Sequence, residues 1–132
     1  MKYFLDTNII IYAVKGMFPN LKKHFAMVPS TSIVIPSVVC AELEYGARFS
    51  RDYHKTKAIY SAFVREFQVA NFGKAEAEAY GRIRSQLEKS GKLIGPNDLI
   101  IASTAFDGGI LVTHNVKEFS RVPGLALEDW TE

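Results

Sequence analysis

Cysteine is almost missing from this chain: Cys40 stands alone among 132 residues. One thiol cannot close an internal disulfide, so the fold must hold by packing alone. In its apolar-rich segment Cys40 reads as a small core residue, and a reducing cytoplasm fits. The histidines are also few. His24, His54 and His114 show no ligand spacing with one another or with Cys40, which argues against zinc. Long hydrophobic runs are absent, far short of the ~20 residues of a membrane helix. The N-terminus carries one lysine, a short apolar patch and then Asp6, unlike a signal peptide. Charge of one sign is lacking too. Sixteen basic against fourteen acidic residues leave a net +2, which neither demands nor excludes a nucleic-acid partner. There is no repeat, low-complexity tract or block of like charge.

What is present is an ordinary globular composition, 48% hydrophobic and 23% charged. The length suits one domain, residues 1–132, with a real core. Short apolar runs predict strands at "YFL" (3–5), "SIVI" (32–35) and "GILVT" (109–113), with weaker candidates at "FQVANF" (67–72) and "LALED" (125–129). Helical periodicity fills the gaps. Tyr80, Ile83 and Leu87 share a face, with Gly91 as the stop after Lys89. Ile59, Phe63 and Phe67 share another. Ser37 is the expected N-cap of "SVVCAELEYGARF", and Pro96 opens "PNDLIIASTAF". Strands alternating with helices imply an α/β fold with a mainly parallel sheet covered on both faces. Such sheets bind ligands beyond their strands' carboxyl ends. Asp6 and Thr113 fall at two of those ends.

Three acids sit where a charge is awkward: Asp6 after the first strand, Glu42 among apolar neighbours, and Asp98 at a helix start before an apolar run. Each alone has a structural use, as a cap, an exposed helix residue or a partner of the helix dipole. Gathered by a fold, they would repel one another. A divalent cation removes that conflict, and an all-oxygen set suits magnesium and phosphate chemistry.

"FLDTNIIIY", "AELEYGA", "IGPNDLIIAS" and "LVTHNVKEF" together resemble the PIN domain, and more closely the VapC toxins of bacterial toxin–antitoxin pairs. The resemblance runs from Tyr3 to the closing "EDW". It implies a three-layer α/β/α sandwich and a Mg²⁺- or Mn²⁺-dependent endoribonuclease. By that likeness Asp6, Glu42 and Asp98 are the metal acids, and Asn8 and Thr113 hydrogen-bond them. Many PIN domains place a fourth acid soon after the last strand's threonine. Here Asn115 is neutral, and would act catalytically only as a weak ligand or through a water. One firmly held ion is therefore expected. The implied reaction is hydrolysis of a phosphodiester in structured RNA, tRNA above all, leaving 5′-phosphate and 3′-hydroxyl ends and halting translation. The implied partners are a VapB-type antitoxin, presenting a basic side chain to the acids, and a second toxin copy. No membrane partner is expected.

Other residues have plainer readings. His114 reads as a turn or RNA-contacting residue, since this chemistry needs no histidine. Arg48, Arg51, Lys55 and Lys57, and Arg82, Arg84, Lys89 and Lys92, could neutralise phosphates or simply be solvated. Tyr12, Phe18 and Phe25 suit core packing, and Trp130 suits anchoring the tail. Phosphorylatable receiver domains share the size and fold class, but "SIVIPS" ends without an acceptor acid. Haloacid-type phosphatases need a second acid at position 8, which is asparagine. A PIN-like module that binds RNA or protein with weak or no catalysis remains the alternative.

Overall fold

The computed structural model describes residues Met1–Glu132. In chain order the elements are β1 (Lys2–Leu5), α1 (Thr7–Val14), α2 (Pro19–Met27), a 3₁₀ turn (Ser30–Ser32), β2 (Ile33–Pro36), α3 (Ser37–Phe49), α4 (Tyr53–Val64), β3 (Gln68–Ala70), α5 (Lys74–Lys89), α6 (Pro96–Ala105), β4 (Gly109–Val112), α7 (Val116–Phe119) and β5 (Ala126–Glu128). All five expected strands form, and every pairing is parallel, in the order β3-β2-β1-β4-β5. The architecture is the expected three-layer α/β/α sandwich.

The topology decides where a ligand can go. From β1 the chain builds outward through β2 and β3, then crosses back to lay β4 and β5 on the other side. The crevice between β1 and β4 is therefore the switch point where open α/β sheets bind ligands. Here Leu5 pairs with Val112, and the Asp6 amide donates to the Val112 carbonyl at 3.0 Å.

The centre of the sheet is buried because β2 and β4 are apolar, whereas the edge strands β3 and β5 stay partly exposed. Ile33, Val34, Ile35, Leu111 and Val112 are all buried, and Ile9, Ile10, Val39, Leu99 and Ile101 cover them from the helices. Helix α6 starts at Gly95–Pro96 as expected and is buried on most sides. Helix α5 is amphipathic and sinks Ala79, Ile83 and Leu87. It ends where Gly91 takes φ +69°, a conformation that costs glycine no Cβ clash. Trp130 docks the C-terminal segment: it is buried, stacks on His24 at 5.2 Å, and donates from Nε1 to Glu128 at 2.8 Å.

Three local expectations are corrected. Ser37 is the first residue of α3, not its cap, because Pro36 is still paired in β2 and supplies the extended cap conformation. Ile59 is 43% exposed and α4 ends at Val64, so of the expected face only Phe63 is helical and inward; Phe67 packs against the core from beyond the helix. Cys40 is half-buried, not a core residue. It lines a pocket of about 260 Å³ between α3 and α4 with Leu43, Glu44, Lys57 and Tyr60.

One glycine is required by close packing. A Cβ on Gly109, at the start of β4, would lie 2.4 Å from the Phe4 ring and 2.8 Å from the Ala105 carbonyl oxygen. Gly109→Ala should destabilise the fold by about 1–3 kcal/mol, the usual range for overpacking. Thermal unfolding checks this, with Phe4→Leu in the Gly109→Ala background recovering part of the loss. An unchanged melting temperature for Gly109→Ala would refute the close-packing account.

Candidate active site

Asp6 directly follows β1 and caps α1, so the strand fixes its position and the helix fixes its orientation. Its Oδ1 accepts from the Thr7 amide at 2.8 Å, and its Oδ2 accepts from the Thr113 hydroxyl at 2.8 Å. Thr113 is fully buried just past β4. Its Oγ1 also accepts from the Asn115 amide at 2.9 Å, so its single proton is committed to Asp6. Even so, burial pushes the Asp6 carboxyl above its ordinary range. The two hydrogen bonds oppose that shift, and the charges of Glu42 and Glu118 add to it.

Glu42 comes from the middle of α3. Its Oε1 accepts from the Thr7 hydroxyl at 2.5 Å, and its Oε2 accepts from the Asn97 side-chain amide at 3.3 Å. Thr7 therefore bridges two acids, its N–H on Asp6 and its O–H on Glu42. Asp98 sits in the first turn of α6, half-buried. Its carboxyl is pushed up to about 7, by burial first and then by the charges of Asp6, Glu118 and Glu42.

Glu118 is the acid that sequence reasoning missed. It lies in the first turn of α7. Its Oε1 accepts from the Gly95 amide at 3.2 Å, and its Oε2 accepts from the Asn115 side-chain amide at 2.8 Å. Its charge reaches both Asp6 and Asp98. The signal in the sequence is an acid three residues past Asn115, one helical turn beyond the Thr113-His114-Asn115 stretch at the strand end. The expectation of a missing fourth acid is thereby corrected. Asn115 points its amide donor at Glu118 and orients that acid. Asn8 is corrected as well. It is exposed and makes no hydrogen bond to Asp6, because α1 turns it to solvent and the Thr7 backbone takes the role expected of it.

No lysine or arginine pairs with any of these four acids; the ion pairs lie elsewhere. Lys57, the Tyr53 hydroxyl and Arg48 all engage Glu44 and together lower its carboxyl to about 2. His114 turns away to Asp129 and Thr131, each 3.0 Å from Nδ1. No three of the acids converge tightly enough to form a ready-made ligand cage. Their charges act on one another at Asp6 and Asp98. An all-oxygen, uncompensated set of this kind fits a hard divalent cation and no softer metal.

Residues 3–125 match the PIN domain family. The chain is similar to "Ribonuclease VapC2" of Rickettsia felis, 38% identical over 135 residues and 98% of each chain. It is similar to "tRNA(fMet)-specific endonuclease VapC" of Shigella flexneri, 37% identical over 132 residues and 99% of each chain. Among solved structures, a DNA-bound VapBC from Salmonella typhimurium matches with a TM-score of 0.93 at 33% identity, covering 98% of each chain. VapBC2 from Rickettsia felis, bound to a DNA fragment from its promoter, matches with a TM-score of 0.90 at 36% identity, covering 97% of this chain and 98% of that one.

The proton on Asp98 sets a pH dependence. Unfolded, it leaves near 3.8; folded, near 7. The folded chain thus holds the extra proton between those values. The stability this gives is complete below the lower value and is lost as pH rises through about 7. In EDTA, Asp98→Asn should therefore melt higher than the parent at pH 8, with the gap closing toward pH 5. Glu44 titrates near 2 and leaves that window undisturbed. Mg²⁺ affinity, measured by calorimetry, should fall by up to about tenfold per pH unit below the Asp98 value as protons compete. A lower pH 8 melting temperature for Asp98→Asn would contradict the assignment.

Proposed function

The chain belongs to the PIN-domain family, within its VapC branch, and from that premise we propose that residues 1–132 form a single metal-dependent endoribonuclease toxin. Its substrate would be structured RNA, tRNA first among the candidates. Its effect would be to stop translation in the cytoplasm. The observation that carries this reading is the set of four acids at the β1/β4 switch point with no basic residue to neutralise them.

Asp6, Glu42, Asp98 and Glu118 are the residues that would hold Mg²⁺ or Mn²⁺. When bound, such a cation supplies the positive charge that offsets the acids and polarises a phosphodiester. The protein's own part is to aim these oxygens before substrate arrives. Thr7 N–H and Thr113 O–H fix the two oxygens of Asp6. Thr7 O–H and Asn97 hold Glu42, and Gly95 N–H and Asn115 hold Glu118. Asp98, shifted to about 7, can keep or release a proton at neutral pH. The hydrogen-bonded supports limit the reorganisation needed as charge moves onto the phosphate.

The partner would be a VapB-type antitoxin, as in the VapBC complexes this chain resembles. A basic side chain from such a partner would find its countercharge at the acids. Homodimers and toxin–antitoxin hetero-oligomers are the expected assemblies. A catalytically weak binding module drew its support from a neutral residue at the fourth position, and Glu118 weighs against it.

Cleavage of total tRNA in Mg²⁺ should be abolished by EDTA, and Asp6→Asn should lower the rate by about 100-fold or more. Thr113→Val, which removes a support and leaves the acids, should cost about 10–100-fold. Activity unaffected by EDTA and by Asp6→Asn would sink the nuclease assignment. Expressed alone in bacteria, the chain should halt growth, and Asp6→Asn should relieve the arrest. Normal growth with soluble, folded parent protein would count against the toxin role.

A further inference from the structure

Two aromatic rings on α3 stand in solvent beside the acids. Tyr45 is 69% exposed and Phe49 is 81% exposed. They stack on each other, with centroids 6.0 Å apart and planes 28° from parallel. Counting from Glu42 they are the i+3 and i+7 residues, so they extend the same face of the helix that carries that acid. Tyr45 also closes a pocket of about 410 Å³ whose other walls are Thr7, Val38, Ala41, Glu42 and Asn97. That size lies within the ~300–1,000 Å³ typical of small-ligand sites. One end of this pocket is the support network of the acids, and the other is an aromatic face.

We propose that Tyr45, backed by Phe49, is a stacking platform for a nucleobase of the substrate RNA next to the phosphate held at the acids; this rests on the ribonuclease reading above. A base offers a flat, largely neutral face to the ring while its phosphate lies toward the acid end. Aromatic platforms of this kind bind any base, because every base has a π-face. Charge is consistent with the assignment. The nearest helical cation, Arg48, is committed to Glu44 and lies over the Tyr53 ring at 4.1 Å. The platform therefore offers shape and stacking without a fixed charge. Area favours a base over a second copy of the chain. Two aromatic side chains present about 300–500 Å² at most, against about 800 Å² per partner in a standard protein interface.

The test uses the full chain and a fluorescein-labelled single-stranded oligo(A) of twelve nucleotides, in EDTA to prevent cleavage. Binding is read by anisotropy, and tRNA cleavage in Mg²⁺ is read in parallel. Tyr45→Ala should weaken oligo(A) binding by about tenfold and raise KM with little change in kcat. Tyr45→Trp should retain affinity, and its new fluorescence should be quenched by oligo(A), whereas the buried Trp130 of the parent should respond little. Tyr45→Leu, similar in bulk but not planar, should bind as poorly as the alanine variant and serves if Tyr45→Ala fails to fold. Unchanged affinity and KM in both variants, with normal parent cleavage, would overturn the platform alone. Loss of dimer in sedimentation, with RNA binding intact, would assign the rings to a second copy and also overturn it. Tyr45-dependent binding in a parent that never cleaves RNA would keep the platform and reject the nuclease.

Discussion

The structure turns on one buried carboxylate held by two hydrogen bonds that belong to different strand ends. Asp6 takes the Thr7 amide on one oxygen and the Thr113 hydroxyl on the other. Asp6 and Thr113 lie 107 positions apart in the chain, and they meet only because β1 and β4 are neighbours in register. A buried charge without a partner costs several kcal/mol. Two hydrogen bonds reduce that cost without removing it, which is why burial still dominates the shift on Asp6. The sheet must therefore supply the stability that the acid withdraws. It does so with an unbroken apolar centre, Leu5, Ile33, Ile35, Leu111 and Val112, fully covered by helices.

The remaining acids repeat this conflict at lower burial. Glu42, Asp98 and Glu118 arrive from three different helices, each anchored by its own apolar face. The charges of Asp6, Glu118 and Glu42 all reach Asp98, and none of these acids is relieved by a lysine or arginine. Opposed charges of this kind are typical where function is maintained against stability. The contrast with Glu44 is instructive. On the same helix, two residues from Glu42, it collects Lys57, Arg48 and the Tyr53 hydroxyl and is held low. On α3 the chain neutralises Glu44 with two cations and leaves Glu42 without one.

Much of this was legible in the sequence, for physical reasons that differ by residue. The strands were readable because buried parallel strands are short, continuous apolar runs bounded by turns. Asp6 and Asp98 were readable because each interrupts such a pattern. Glu42 needed helical register as well. Glu118 was not readable by that logic. It lies in a four-residue helix too short to show a helical period, where an acid breaks no pattern, and its significance comes from the Gly95 loop folding back onto it. Asn8 failed for the opposite reason. Proximity in sequence suggested a partner for Asp6, but α1 begins at Thr7, and the second helical residue points outward. The backbone amide of Thr7 leaves no trace in side-chain chemistry, so no motif could announce it.

Helix α3 shows how one segment can carry core, site and clamp at once. Val39, Leu43 and Ala47 recur every four residues and are buried against the sheet. Glu44 and Arg48 form a second stripe, which ties α3 to α4 through Lys57 and Tyr53. Val38, Glu42, Tyr45 and Phe49 form a third, running from the acids outward to the exposed ring pair. The helical period separates these stripes by roughly 100° per residue, so they do not compete for the same space. The first two stripes fix the helix from below and from the side. A helix held on two faces presents the third as a rigid surface, and rigidity is what lets a ring at position 45 keep a constant relation to a carboxylate at position 42. The exposure of Tyr45 and Phe49 is then the consequence of placing a recognition surface on the one face of α3 that neither the sheet nor α4 can cover.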